Sequence, residues 1–200
     1  MECFPDLKCL YFECNGCRAM TGLETNSKLK SLFLQENLIT KIEGLSNHPS
    51  LAVLNLTKNL ILKIDDLDKC TSLDSLYMAN NRLGLQIGEG GCSSLESLVG
   101  LLKVPSLTSL DIQNNYLDDP AILDEVFAKM KNLAVLSCKG NDFIKKIPNY
   151  RKTMIAKIRS LEYLDDRPVF PEERRRAEAF AAGALKAERE EMKVLQKEKE

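Results

Sequence analysis

Cys14 and Cys17 stand three residues apart, with Cys3 and Cys9 upstream. Thiols in such a pattern are the kind that close around a zinc ion. A second chemical signal is Gly88-Glu89-Gly90-Gly91, whose small residues would let backbone N–H groups approach a phosphate. No Gly-Lys-Ser/Thr follows, and a nucleotide loop needs that ending. A third is Arg174-Arg175-Arg176, a cationic run of the kind that meets phosphate or an acidic protein patch. For general acid–base chemistry there is one histidine, His48, just before Pro49. A catalytic site needs several such groups converging, so the side chains argue against an enzyme, and His48 is expected at the surface of a turn. What the other signals mean depends on the elements that carry them.

Those elements repeat. LKCLYFECNGC begins at residue 7, LKSLFLQENLI at 29, LAVLNLTKNLI at 51, LDSLYMANNRL at 73, LTSLDIQNNYL at 107 and LAVLSCKGNDF at 133. The template L-x-x-L-x-L-x-x-N-x-L is that of a leucine-rich repeat. Its ninth position is asparagine in every unit: Asn15, Asn37, Asn59, Asn81, Asn115 and Asn141. The first intervals are 22 residues, which marks the short-repeat subclass. Positions 1, 4, 6 and 11 are expected to point inward, because one unit cannot bury its apolar face but a stack can. The asparagine amide is expected to satisfy backbone groups at the bend, forming a ladder along the stack. The predicted fold is α/β: a solenoid of short repeats with a parallel concave sheet, a C-terminal cap and a trailing helix.

The repeat frame decides the chemical signals. Cys17 occupies position 11, where the other units have Ile39, Ile61, Leu83, Leu117 and Phe143, so it reads as a small core residue. Cys14 occupies position 8, a surface position held elsewhere by Glu36, Lys58, Asn80, Asn114 and Gly140. The two thiols should point to opposite sides of the backbone, so neither a metal nor another cofactor is expected. The glycine run belongs to an insertion at 84–91 in the long fourth unit, read as a loop before a short convex helix. The four extra residues of unit five are spent on a helix with Asp119 as cap, Pro120 in its first turn and an inward stripe of Leu123, Val126, Phe127 and Met130.

What remains is a surface. Positions 3, 5 and 7 project from the concave sheet. Position 3 is mostly small. Position 5 reads Tyr11, Phe33, Asn55, Tyr77, Asp111 and Ser137, and position 7 includes Gln113 and Lys139. The candidate partner-binding residues are therefore Tyr11, Phe33, Asn55, Tyr77, Asp111, Gln113 and Lys139. Aromatics framed by polar groups make good anchors. The rival reading is that Tyr11, Phe33 and Tyr77 cover one another or an N-terminal element.

Pro148 is expected to start a capping helix with Tyr150, Met154, Ile155 and Ile158 on one face, followed by a partial strand at Leu161 and Leu164. The solenoid with its cap is assigned to residues 1–168 and a charged amphipathic helix to 169–200. Residues 172–200 carry eight Glu against four Arg and four Lys, so the arginine run is mainly a solvated, self-paired helix face and a poor phosphate binder. Arg174, Arg175 and Phe180 are a weaker candidate surface for a protein partner. Phe170, Ala177, Phe180, Ala181, Ala184 and Leu185 could pack on the cap. The rest of the helix is expected to fray or stay unpaired.

The whole chain has net charge −1, 44% hydrophobic and 28% charged residues. That balance gives no global pull toward nucleic acid or an anionic membrane. There is no 18-residue apolar stretch and no basic-then-apolar leader, so neither a membrane span nor a secretory signal is expected. Seven cysteines without such a leader read as reduced thiols in the cytosol.

LYFECNGCRAMTGLETNSKLKSLFLQENLITKIEGL, together with IPNYRKTMIAKIRSLEYLDDRPVFPEERRRAEAF, resembles the leucine-rich-repeat axonemal dynein assembly factor family. The IPNYR…LEYLD cap is less specific. It recurs in the leucine-rich axonemal dynein light chain, in a splicing protein and in a phosphatase-1 regulator. LDDRPVFPEERRRAEAF tips the choice. The departures are the glycine-rich insertion and Cys17 in a usually aliphatic slot. The resemblance implies a monomeric, non-enzymatic adaptor in cytoplasmic pre-assembly of dynein arms, with dynein subunits or chaperones as partners and a role in ciliary motility. Its alternative is a structural axonemal subunit that stays on a motor domain or microtubule.

Overall fold

The computed structural model describes residues 4–86 and 91–198. Cys3 and Gly88-Glu89-Gly90 lie outside the described residues, as does the side chain of Ala184.

Each unit commits three residues to a strand, at template positions 3 to 5: β1 Cys9–Tyr11, β2 Ser31–Phe33, β3 Val53–Asn55, β4 Ser75–Tyr77, β5 Ser109–Asp111 and β6 Val135–Ser137. The two-residue strands β7 Tyr163–Leu164 and β8 Arg167–Pro168 complete one sheet in the order β1 to β8. Pairing is parallel up to β7 and antiparallel between β7 and β8. Register follows the repeat alignment, with Leu10 opposite Leu32, then Leu54, Leu76, Leu110, Leu136 and Leu164. Successive side chains alternate faces, so the central leucine enters the core while its neighbours face out. From Leu32 onward these leucines are buried, whereas Leu10 on the edge strand is half-buried.

The asparagine ladder runs through five of the six units. Asn59 is representative: its Oδ1 accepts from Ile39 N at 3.0 Å, and its Nδ2 donates to Leu34 O and Leu56 O, each at 3.0 Å. Asn81, Asn115 and Asn141 repeat the pattern one unit further on each time. Asn15 corrects the six-member expectation: it is exposed and its amide donates only to its own unit's Glu13 O. The ladder works by bonding to the preceding unit, and β1 has none before it in the sheet.

Position 8 carries a conformational regularity. Cys14, Glu36, Lys58, Asn80, Asn114 and Gly140 all have positive φ, between 52° and 77°. The left-handed bend turns the chain from strand to convex connection, and only Gly140 adopts it without a steric cost. A Cβ on Gly140 would fall 2.1 Å from Asn114 Oδ1, the end of an exposed side chain that would have to move.

His48 overturns the surface expectation. It is completely buried, and its Nε2 lies 3.1 Å from Leu23 O. It belongs to a second column, three residues before each opening leucine: Asn26, His48, Cys70, Val104, Met130 and Ile158. Asn26 Nδ2 donates to Phe4 O and Cys70 Sγ to Leu45 O, so the polar members of the column each tie down an upstream carbonyl. Burial pushes the Cys70 thiol up to about 11, which keeps it protonated as that donor.

The convex side carries short helices. α1, Ser94–Leu98, opens with a capping box between Ser93 and Glu96. α2, Ile122–Glu125, follows Asp119, whose Oδ1 accepts from Ala121 N, and all four stripe residues, Leu123, Val126, Phe127 and Met130, are buried. α3 is Phe143–Lys146. α4, Tyr150–Lys157, starts two residues after Pro148 because Asn149 takes a left-handed conformation.

At the cap, Asp165 takes over from the ladder. Its Oδ1 accepts from Cys138 N at 3.0 Å and its Oδ2 from the Tyr150 hydroxyl, which also touches Cys138 Sγ at 2.9 Å. Burial raises the pKa of both Cys138 and Tyr150, so both stay protonated.

α5 spans Pro171–Lys197 and corrects the expectation of a frayed or unpaired tail. Arg175 pairs with Glu191 and Glu198, and Arg176 with Glu188. In a straight helix Arg175 and Glu198 would be about 34 Å apart, beyond the reach of two side chains. The segment therefore doubles back between Arg176 and Glu188, a stretch that holds Gly183, where a Cβ would meet the Ala187 Cβ at 2.7 Å. Glu188 is only 4% exposed and accepts from both Lys152 of α4 and Arg176. Of the apolar tail residues named above, Ala177 is buried and Phe180 is half-buried beneath Lys152, 4.9 Å from its Nζ, while Phe170, Ala181 and Leu185 remain exposed.

Candidate functional site

Strand geometry makes the site. Position 5 side chains stand in one row across the sheet, Tyr11 opposite Phe33, then Asn55, Tyr77, Asp111 and Ser137. Neighbours in such a row are about 4.8 Å apart, the right interval for ring-on-ring contact. Tyr11 and Phe33 use it: their centroids are 4.6 Å apart and their planes differ by 3°. Phe33 is half-buried by this stack, while Tyr11 on the edge strand is 65% exposed. These two rings do cover each other, as the rival reading held, yet the outer face of Tyr11 stays open among the described residues. A hydrogen bond with the neighbouring Cys9 side chain raises the pKa of the Tyr11 hydroxyl, so the ring stays neutral at physiological pH.

The polar residues divide. Asn55 Oδ1 accepts from Thr57 N and Asp111 Oδ1 from Gln113 N, both at 3.0 Å, so each folds back on its own strand. Lys139 is neutralised by an ion pair with Asp166. Glu13 and Asp111, by contrast, have no cationic partner among the described residues. Two acceptors on the floor are also unsatisfied: Glu13 Oε2 and Gln35 Oε1 are shielded from solvent and accept no hydrogen bond. Both are position 7 residues of adjacent units, beside the Tyr11–Phe33 stack.

Sequence reading missed Tyr163. It pairs with Val135, which puts it in the position 3 row, and it is 42% exposed. Counting position 3 onward from Leu161 would have found it. Nearby, Lys139, Ile144, Tyr150 and Asp165 help line a cleft of about 310 Å³ at the C-terminal end of the floor.

The tail candidates point elsewhere. Arg174 faces the cap, donating to Ile155 O at 3.2 Å and to Leu161 O. Arg175 is held by Glu191 and Glu198, and Phe180 lies under Lys152. Cys14 is exposed, with its thiol donating to Glu36 Oε2, and Cys17, expected in the core, is only half-buried. Among the described residues no group of three His, Cys, Asp or Glu is placed to hold a metal ion, and no helix is long and apolar enough to cross a membrane.

Known proteins share this architecture. The chain is 43% identical over 107 residues to the leucine-rich repeat-containing protein ODA7 of Chlamydomonas reinhardtii, a match covering 54% of this chain and 24% of that one. It is 49% identical over 85 residues to human dynein axonemal assembly factor 1, covering 42% and 12%. The chain thus matches a quarter or less of the length of these relatives. Among solved structures, an internalin from Listeria monocytogenes superposes with a TM-score of 0.53 at 23% identity, over 74% of this chain and 44% of that one, a likeness of fold alone. The leucine-rich repeat family matches residues 61–194, two thirds of the sequence. Sequential parallel strands, buried leucines in register and an asparagine ladder are the physical content of that match, and the chain belongs to the leucine-rich-repeat family.

Proposed function

We propose that this chain is a non-enzymatic interaction adaptor in the cytoplasmic assembly of axonemal dynein arms, serving ciliary motility. The observation that carries the reading is its 49% identity to human dynein axonemal assembly factor 1 and 43% identity to ODA7. The concave floor supplies the means. A rigid sheet presents Tyr11, Phe33, Asn55, Tyr77, Asp111, Gln113 and Lys139 to a protein partner, with the exposed ring of Tyr11 as its anchor. The partners on this reading are dynein subunits or the chaperones that fold them, met by a monomer in the cytosol.

The test is capture and fractionation in ciliated cells. A tagged chain should stay mainly in the cytosol and co-purify with dynein heavy or intermediate chains. Tyr11→Ala should leave the melting curve nearly unchanged, because the ring is largely exposed, while weakening capture by about 2 kcal/mol, the scale of an aromatic hot spot. A chain found on the axoneme and released only by salt would instead be a structural subunit.

A further inference from the structure

Counting back from each opening leucine puts the convex residues of all units in register. Six places back the chain holds Leu23, Leu45, Leu67, Leu101, Phe127 and Ile155, every one buried. Eight places back, five units hold Thr21, Glu43, Asp65, Glu125 and Thr153, and five places back they hold Glu24, Ser46, Asp68, Ala128 and Ala156. The fold thus asks for no large apolar residue at either place. Unit four puts Val99 and Leu102 there, and they are 44% and 39% exposed. Both lie on the 3-10 helix Val99–Lys103, where side chains three apart eclipse one another about 6 Å apart. That helix is pressed against unit three: a Cβ on Gly100 would fall 2.1 Å from Ile64 O. Val99 and Leu102 are therefore held rigidly in an outward pose.

Beside Leu102 runs a cleft of about 170 Å³, lined also by Pro105, Leu107 and Met130. Its charged lining residues, among those described, are Lys129 and Lys131, with no acid. Lys131 has no acidic partner among the described residues. Lys103, next to Leu102, shares Asp65 with Lys63, and Lys129 pairs with Glu125 in an exposed bridge of the kind that is worth little. The cleft is smaller than the roughly 300–1,000 Å³ of a small-molecule site and suits a single apolar side chain.

We propose that the convex face of unit four is a second docking site, for an acidic segment of a protein partner that carries large apolar side chains. One apolar side chain enters the cleft, others cover Val99 and Leu102, and flanking carboxylates meet Lys131, Lys129 and Lys103. Charge complementarity selects that occupant. A second copy of this chain fits poorly, because a symmetric contact would set these lysines against the same lysines. The site lies on the opposite side from the concave floor and stands or falls separately from the adaptor reading.

The full chain is titrated with the peptide acetyl-Glu-Asp-Leu-Glu-Asp-Leu-Phe-Glu-Asp-amide. One control peptide carries Gln and Asn in place of its acids, and another carries Ala in place of Leu and Phe. Binding is followed by NMR shifts of the Val99 and Leu102 methyl groups. The parent peptide should move those signals and bind about tenfold or more tightly than either control. Lys131→Glu should weaken it by about tenfold. Leu102→Ser should weaken it by about threefold to tenfold, since only the exposed part of that side chain is left to bury. Both variants should melt as the wild type does; should Leu102→Ser lose its fold, Lys131→Glu decides alone. Lys41→Glu, in unit two, should have no effect. Methyl signals that do not move, equal affinity for the parent and carboxamide peptides, or full binding by Lys131→Glu would each overturn the proposal. So would binding to phosphatidylserine vesicles in place of the peptide, which would make the patch a lipid surface, or self-association abolished by Leu102→Ser, which would make it a contact between copies.

Discussion

A single amide at position 9 holds three backbone groups that water cannot reach. In Asn59 these are Ile39 N, Leu34 O and Leu56 O, from two consecutive units. Asn59→Ala leaves Ile39 N unpaired inside the core, a loss that costs about 1–3 kcal/mol, while Leu34 O and Leu56 O keep the amides of Asn37 and Asn81. We expect a fall of about 1–3 kcal/mol in unfolding free energy, read from urea titration; an unaltered midpoint would remove the ladder from the account of stability. The asparagine positions were legible because one residue type recurs at one place in every unit. The burial of His48 was not. Its column changes chemistry at every step, from Asn26 to Cys70 to Ile158, so identity gives no pattern and only the spacing to the next leucine reveals it. Tyr163 was hidden for the opposite reason, since its unit is too short to show the template.

At the scale of elements, the cap and the tail helix are joined by one arginine. Arg151 of α4 bonds Glu173 of α5 through two nitrogens, at 2.6 and 2.7 Å, and also holds Leu164 O and Pro168 O of the final hairpin. The bond to Arg151 depresses the Glu173 carboxyl below its ordinary 4.5. A depressed carboxylate stabilises the fold fully above its unfolded value. That contribution is lost as pH falls from about 4.5 through the lower folded value. Glu188, depressed chiefly by Lys152, acts in the same sense and window. Glu173→Gln should therefore cost about 1 kcal/mol at pH 7 and nothing further at pH 3, so the mutant's stability should vary less with pH than the wild type's. Urea midpoints at the two pH values decide this. That a helix follows Pro171 could be read from proline placement and charge periodicity. Its reversal could not, because Gly183 is the only local signal and the contacts that require a reversal join residues more than ten positions apart.

For the molecule as a whole, the tail is part of the end closure. A chain ending at 168 loses the Arg174 bonds to Ile155 O and Leu161 O, the Glu173 clamp and the seat of Ala177. We expect a lower melting temperature, by about 2–4 °C for each kcal/mol removed, with faster amide exchange confined to the last unit and cap. Equal melting of the two lengths would make the tail an independent appendage. The sheet order has a mechanical meaning. Every strand pairs only with its neighbours in sequence, so tension applied at the two ends meets one ladder at a time, in a peeling geometry, and no interlocked strand must be sheared free. The chain should lengthen in steps under an optical trap. A 22-residue unit releases about 70–80 Å of contour, and the 34-residue spacing between β4 and β5 a longer step of about 110–120 Å. A solenoid of this kind is a ratcheted tether: it gives slack in fixed lengths while the rungs still closed keep their shape.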